Sequence, residues 1–99
     1  MILEIAEINI KDGMSETFEK GVAKARPVIL SAEGCHGVSL HRSVEYPLRY
    51  RLMVQWDSIE NHTVTFRASE GFKVWRGLVQ NCFAGMPSVG HVKEVIFPE

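Results

Sequence analysis

The stretch His36–Trp56, HGVSLHRSVEYPLRYRLMVQW, decides the fold of this chain of 99 residues. Apolar and polar residues alternate along it twice, from His36 to Tyr46 and from Tyr50 to Trp56, with a short link around Pro47. Alternation puts successive side chains on opposite faces of a β-strand, and two such runs joined by a short link are typical of an antiparallel hairpin. In the first run, the residues expected on the apolar face are Val38, Leu40, Val44 and Tyr46.

A strand and a helix are predicted before this hairpin. Residues 1–10 alternate as a strand, but Leu3 and Ile5 place apolar groups on its second face as well, which favours a strand covered on both sides. Over residues 14–32, apolar residues recur at every third or fourth position, as in an amphipathic helix. Pro27 lies inside this helix, so we expect a kink just before it or a division into two shorter helices.

Two helical segments and a strand are predicted after the hairpin. The sequence DSIE opens residues 57–67 and has the form of a helix start, with Asp57 as the capping residue. Ser69-Glu70 predicts a second start, after which apolar residues keep helical spacing to residue 85. Residues 89–97 carry the apolar side chains of a closing strand. The second helix is therefore expected to be broken in two.

The predicted element order is β-α-β-β-α-β, which is the ferredoxin-like arrangement of the α+β class, a sandwich of helices on a sheet. The length suits one domain, residues 1–99. Both helices would cover one face of a four-stranded antiparallel sheet, and the other face would keep the apolar groups Leu3, Ile5 and Met53. Because a monomer would leave that face in water, we expect a homodimer.

The composition excludes several classes of protein. Eleven basic and twelve acidic residues give a net charge of −1 without a basic run, which argues against binding to nucleic acid or to a membrane surface. No apolar stretch approaches the roughly 18 residues that span a bilayer, so a cytoplasmic protein is expected. Cys35 and Cys82 form neither a C-x-x-C pair nor a zinc spacing and are interpreted as small buried apolar residues.

Motifs for metals and common cofactors are absent from the sequence. His41 and His91 lie on predicted strands without partners at metal-ligand spacing. The chain has no glycine-rich phosphate loop, no G-x-S-x-G elbow and no dinucleotide fingerprint. We therefore expect no metal and no cofactor.

Trp56–Val79, WDSIENHTVTFRASEGFKVWRGLV, resembles the signature region of the antibiotic biosynthesis monooxygenase family. In that family a strand ends in Trp, a Ser/Glu helix start follows, a His comes soon after, and an aromatic-rich helix completes the segment. The sequence EGCHGV at Glu33–Val38 is also similar to the family. The resemblance implies a dimeric α+β barrel, in which two sheets pack face to face and each monomer has a pocket between sheet and helices.

Three reactions are associated with relatives: cofactor-independent oxygenation of phenols or quinols, haem degradation, and isomerisation of small metabolites. The haem-degrading branch is disfavoured because Arg76 stands where that branch has its His ligand, and a guanidinium cannot ligate iron. The resemblance thus implies a cofactor-independent monooxygenase that acts on a small aromatic, phenolic or quinol molecule. The alternative is a small dimeric ligand-binding or regulatory module without catalysis.

His62 is the residue predicted to act as a catalytic base. Helical spacing places it on one face with Ile59 and Phe66, so its imidazole is expected at the edge of the pocket. A small shift in its pKa would leave it neutral and able to accept a proton from a phenol. The alternative is a structural histidine that makes one hydrogen bond beneath the helix.

The predicted substrate-binding residues would stack on a flat molecule or hold its oxygens. Arg76 is a candidate for holding an oxyanion. The alternative, for Arg76 and for Arg67 nine residues before it, is a position on a solvent-exposed helix face. Asn9, at the end of the first strand, is a candidate for orienting a substrate oxygen, or else has an ordinary strand-end role. A buried polar residue facing an otherwise apolar cavity would favour the enzyme over a simple binding module. The aromatic candidates, which are alternatively core residues, are Trp56, Phe66, Phe72 and Trp75.

Overall fold

A four-stranded antiparallel sheet is the frame of the protein, and the computed structural model describes residues 1–99. Its strands lie in the order β2-β3-β1-β4, and all neighbours are antiparallel. This arrangement confirms the predicted α+β, ferredoxin-like fold. The strand bounds are β1 (Ile2–Asn9), β2 (Cys35–Arg42), β3 (Arg49–Trp56) and β4 (Ser88–Val92).

Two α-helices, α1 (Ser15–Leu30) and α2 (Glu70–Val79), pack against each other over one face of the sheet. A π-helical segment, Asn61–Phe66, joins β3 to α2, and a short 3-10 turn, Gln80–Cys82, follows α2. The core lies between the helices and the side chains of β1 and β3 that point toward them. None of the helices is long and apolar enough to cross a lipid bilayer.

The alternation predicted for the first strand is confirmed. Ala6, Ile8 and Ile10 are buried in the core, whereas Leu3 and Ile5 lie half-buried on the outer face of the sheet. Glu4 shares the inner row with the apolar residues and is only 6% exposed. A buried carboxyl in the middle of an apolar row needs polar partners, and these define the site described below.

The hairpin is shorter than the sequence predicts. β2 ends at Arg42, and the side chains of Val44 and Tyr46 are 88% and 61% exposed rather than on the apolar face. The reason is a closed turn. The Ser43 amide donates to the Arg49 carbonyl, and the Ser43 hydroxyl accepts from the Tyr46 amide. These hydrogen bonds hold residues 43–48 out of the strands.

The first helix is not divided at Pro27. α1 is continuous, and its buried stripe anchors it to the sheet through residues such as Phe18, Val22 and Ile29. Pro27 lies one turn from the end of α1, and both Pro27 and Ala23, whose carbonyl it leaves without a helical partner, are exposed to solvent. Water can therefore satisfy that carbonyl, so the helix continues.

The helix start after β3 is capped one residue later than predicted. The amide and hydroxyl of Ser58 donate to the Asn61 side-chain oxygen, and the Asn61 amide donates back to the Ser58 hydroxyl. Asp57 instead contacts the His36 ring, with 2.6 Å between Oδ1 and Nε2. The second predicted start is confirmed, since the Ser69 hydroxyl accepts from the Phe72 amide at the beginning of α2.

The closing strand is also shorter than predicted. β4 ends at Val92, and the side chains of Val95, Ile96 and Phe97 are 71%, 85% and 82% exposed. β4 pairs only with β1, over Leu3 to Glu7, so the chain beyond Val92 has no strand beside it. Apolar spacing alone therefore overestimated the length of this strand.

Candidate functional site

A cavity of about 300 Å³ lies between the inner face of the sheet and the helical segments that follow β3. β1, the π-helical segment, α2 and the loop that leads to β4 all contribute to its wall. Most of the lining residues are apolar. Few polar side chains reach the cavity, so its chemistry depends on those few.

A buried polar cluster forms one end of the cavity. The Trp56 indole Nε1 donates a hydrogen bond of 2.9 Å to Glu4 Oε1. His62 Nε2 lies 3.4 Å from the same Glu4 oxygen, and His62 Nδ1 is hydrogen-bonded to His91 Nε2 at 2.9 Å. The Trp56 and His62 rings are stacked, with centroids 5.6 Å apart and planes at 19°. His62 is thus held on three sides.

Strand pairing explains why these residues meet. Glu4 and His91 are direct partners across β1 and β4, so their side chains stand side by side on the inner face. Trp56, at the end of β3, pairs with Ile2 and lies diagonally next to Glu4. The π-helical segment then returns over this corner of the sheet and brings His62 onto Trp56.

The π-helical hydrogen bonding sets which residues of this segment face inward. The Arg67 amide donates to the His62 carbonyl, five residues back. His62 and Phe66 are buried, as predicted, but Ile59 is 42% exposed and does not share their face. The prediction for Ile59 was wrong because Ile59 lies in the first turn, before the π-helical segment begins at Asn61, and its side chain stays at the solvent edge there.

His62 is neutral at neutral pH. Burial lowers its pKa from 6.5 to about 4, and the nearby charge of Arg67 and the His91 ring add to that effect. The contact between His62 and Glu4 is therefore not an ion pair. Burial also raises the pKa of Glu4, against the opposing effects of the Trp56 hydrogen bond and of Arg67.

A neutral His62 carries one ring proton, and either position gives a connected chain of polar groups. With the proton on Nε2, the ring points it at Glu4 and accepts from His91 through Nδ1. With the proton on Nδ1, the ring donates to His91, and Nε2 completes the chain by accepting from Glu4 when that carboxyl is protonated. The chain runs from the buried Glu4 to His91, whose side chain is half-buried on the edge strand β4.

Aromatic rings and two arginines make up much of the remaining wall. Phe66, Phe72 and Trp75 line the cavity, and the first two rings meet edge to face at 5.7 Å and 88°. Arg67 and Arg76 both reach the cavity despite their spacing of nine residues. The Nε atom of Arg76 is buried without a hydrogen-bond partner.

The cavity brings together five of the seven residues singled out from the sequence, namely His62, Phe66, Phe72, Trp75 and Arg76. Trp56 is fully buried behind His62 and does not line the cavity. Asn9 lies apart from it, exposed at the other end of β1, where its side-chain oxygen is 3.4 Å from Arg49 Nε.

Sequence reasoning did not include Glu4 or His91 in the site. The signal for Glu4 was available, because it is the one charged residue in the apolar row of even-numbered positions on β1. His91 has no such signal, since its partner His62 is 29 residues away in the chain. Only the pairing of the first and last strands reveals it.

Residues 1–78 match the family model described as antibiotic biosynthesis monooxygenase. The chain belongs to the antibiotic biosynthesis monooxygenase family. It is also similar to YczJ of Bacillus subtilis, which is named as an uncharacterized protein, with 33% identity over 95 residues covering 96% of this chain and 100% of that protein.

Solved structures agree with this family membership. A crystal structure from Bordetella bronchiseptica, named as a candidate antibiotic biosynthesis monooxygenase, is 52% identical, with a TM-score of 0.94 and coverage of 96% of this chain and 97% of that one. A candidate family member from Caulobacter crescentus shares the fold at 19% identity, with a TM-score of 0.81 and coverage of 96% and 90%. At that lower identity, the likeness concerns the fold alone.

Proposed function

We propose that this chain is a cofactor-independent monooxygenase that acts on a small aromatic phenol or quinol, with His62 as the base. The observation that carries the proposal is a buried, neutral imidazole at one end of a cavity walled by aromatic rings. The cavity is not filled by its Trp and Phe side chains, and buried polar groups reach into it. Both features favour an enzyme over a structural role.

The reaction needs no reductant other than the substrate. His62 Nε2 accepts a proton from the phenol, and the resulting electron-rich anion passes electrons to dioxygen. One oxygen atom remains on a ring carbon as a carbonyl, and the other leaves as water with the proton that His62 took from the hydroxyl and the hydrogen that this carbon loses. In balance, a phenol with a ring C–H group and dioxygen give a quinone and water. The rings of Phe66, Phe72 and Trp75 would hold the substrate flat beside the base.

The low pKa of His62 makes the proton transfer demanding. A phenol with a pKa of about 10 facing a base with a pKa of about 4 corresponds to about 8 kcal/mol against transfer. Positive charge beside the developing phenolate reduces this cost, and Arg67 supplies it at this end of the cavity. Glu4, whose pKa is raised by burial, is positioned to share the proton with His62.

A ligand-binding module without catalysis is the second candidate. It is favoured by the same low pKa, and by the fact that both ring nitrogens of His62 already have neighbours at 2.9 and 3.4 Å. A histidine in that state is able to support a binding site without taking a proton. Bound phenols that are recovered unchanged, with no oxygen uptake, would favour this candidate.

Residues 1–99 are proposed to form one domain that functions as a homodimer. The outer face of the sheet supports this, because Leu3, Ile5 and Met53 are only half-buried there and no helix covers them. Facing sheets would bury this apolar surface. No cofactor is assigned to the cavity, since the proposed chemistry uses only the substrate and dioxygen.

Oxygen uptake with a panel of hydroquinones and anthrone-like phenols tests the proposed function. We expect at least one of these compounds to give uptake that depends on the protein and survives exhaustive dialysis against a chelator. No uptake above the autoxidation rate with any compound, despite measurable binding, would contradict the proposal and support the binding module.

A further inference from the structure

Arg76 has an unmet hydrogen-bonding need inside the cavity. Its Nε is buried without a partner, and its Cζ lies 5.9 Å from the Phe72 ring centroid and 5.8 Å from the Phe83 centroid. An unpaired buried N–H of a charged group costs free energy, so an acceptor is expected next to it. Arg76 also lines the cavity, which has room for a molecule that carries such an acceptor.

The cavity also carries an excess of positive charge. Glu4 is the only carboxyl group in its wall, whereas Arg67 and Arg76 both reach it. Neither arginine forms a salt bridge, and the Glu4 oxygen accepts from Trp56 instead. An apolar cavity with two unpaired guanidinium groups favours an anionic ligand over a neutral one.

His62 and Arg76 stand at opposite ends of this cavity. His62 touches Glu4 near the start of β1, whereas Arg76 packs near Phe83, which bridges to Ile10 just beyond the end of β1. The β1 part of the cavity wall runs from Glu4 to Ile8, which is roughly 13 Å at a strand rise of about 3.3 Å per residue, and the side chains reach inward from both ends. The volume of about 300 Å³ is at the small end for ligand sites.

We propose that the cavity binds a planar two-ring aromatic acid, with its carboxylate on Arg76 and its phenolic hydroxyl at His62. The guanidinium fork matches a carboxylate through two parallel N–H donors, one of which is the unpaired Nε. The ring system then lies between the ends, against Phe66, Phe72 and Trp75. The role of the hydroxyl rests on the proposed function, whereas the carboxylate site does not.

Calorimetric titration without oxygen tests the carboxylate site separately from turnover. The probes are 6-hydroxy-2-naphthoate, which has its two groups at opposite ends, and its methyl ester, which is neutral. We expect the acid to bind about tenfold more tightly or better, because hydrogen bonds to charged groups are the stronger ones. Equal affinity of the acid and the ester for the wild-type protein would overturn the proposal.

Variants on α2 identify the residue responsible. Arg76→Met keeps the apolar stem and should abolish the preference for the acid, and Arg76→Lys, which keeps the charge but loses the fork, should retain part of it. Lys73→Met removes one positive charge from the same helix at an exposed position and should leave the preference unchanged. A preference that persists in Arg76→Met, or one that Lys73→Met removes equally, would overturn the assignment.

Oxygen uptake measured in parallel separates the two proposals. In one outcome, the acid is preferred over the ester in a way that depends on Arg76 while no phenol of the panel gives oxygen uptake. That result supports the carboxylate site and contradicts the monooxygenase. Oxygen uptake with neutral phenols, without any preference for the acid, supports the monooxygenase and overturns the carboxylate site.

Discussion

At the scale of single residues, burial decides the chemistry of His62. The sequence predicted a histidine at the pocket edge with a small pKa shift, but the structure holds its ring between Trp56, Glu4 and His91 with its pKa lowered to about 4. The candidate base was visible in the sequence as a histidine in a family motif. Its environment was not, because two of its three neighbours come from the first and last strands.

The pKa of His62 predicts how stability depends on pH. Folding lowers this pKa from 6.5 to about 4, so between these values the unfolded chain binds a proton that the folded chain does not. The contribution of His62 to the free energy of unfolding is constant above about pH 6.5. It falls as the pH is lowered to 4, by at most about 3 kcal/mol. Glu4 acts oppositely, because its raised pKa makes acidification favour the folded state.

Urea unfolding at a series of pH values, compared between wild type and His62→Gln, isolates this effect. The wild type should lose stability relative to the variant as the pH falls from 6.5 to 4. His41→Gln is the control, since His41 is exposed and bonded only to Ser39. A constant difference between wild type and His62→Gln across this range would show that His62 is not buried as described.

At the scale of elements, the π-helical segment is what presents His62 to the cavity. Its start depends on the reciprocal hydrogen bonds between Ser58 and Asn61, not on Asp57. Gly34, with φ of +79°, leaves the space that the Asn61 side chain occupies. The sequence predicted a helix start here but assigned the cap to Asp57, because the room that Gly34 leaves for the Asn61 side chain is visible only in the fold.

Removal of the Ser58 hydroxyl should destabilise the protein more than removal of the Asp57 carboxylate. Ser58→Ala is expected to lower the free energy of unfolding by about 1 kcal/mol, the usual effect of losing an N-cap. Asp57→Ala loses only an exposed contact with His36, which salt screens. Denaturant unfolding in 0.5 M salt measures the free energy of unfolding of both variants. A larger loss in Asp57→Ala than in Ser58→Ala would show that Asp57 is the capping residue.

At the scale of the whole molecule, the order of elements followed from local periodicity and was predicted correctly. Each helix and strand has its own apolar spacing, so the fold class needed no long-range information. The strand ends at Arg42 and Val92 were missed because turn hydrogen bonds and missing strand partners decide them. The Glu4–His91 pair was missed for the same reason, since it exists only once β1 and β4 are side by side.

The uncovered outer face of the sheet predicts a homodimer in solution. Stable dimers of this kind commonly bury about 2,000 Å² or more in total. Light scattering at micromolar concentration should give twice the chain mass, and Ile5→Glu on this face should give the monomer. Val74→Glu, on the exposed side of α2, is the matched control and should remain dimeric. A monomer mass for the wild type would rule the dimer out.

Incorporation of labelled oxygen tests the proposed monooxygenase most directly. The chelator-treated protein is incubated under ¹⁸O₂ with the phenol that gives the fastest oxygen uptake, and the product is examined by mass spectrometry. We expect one ¹⁸O atom in each product molecule, and His62→Ala, still folded, should lower turnover by about 10²–10⁴. A product without the label, or full turnover in His62→Ala, would contradict a monooxygenase reaction that depends on this base.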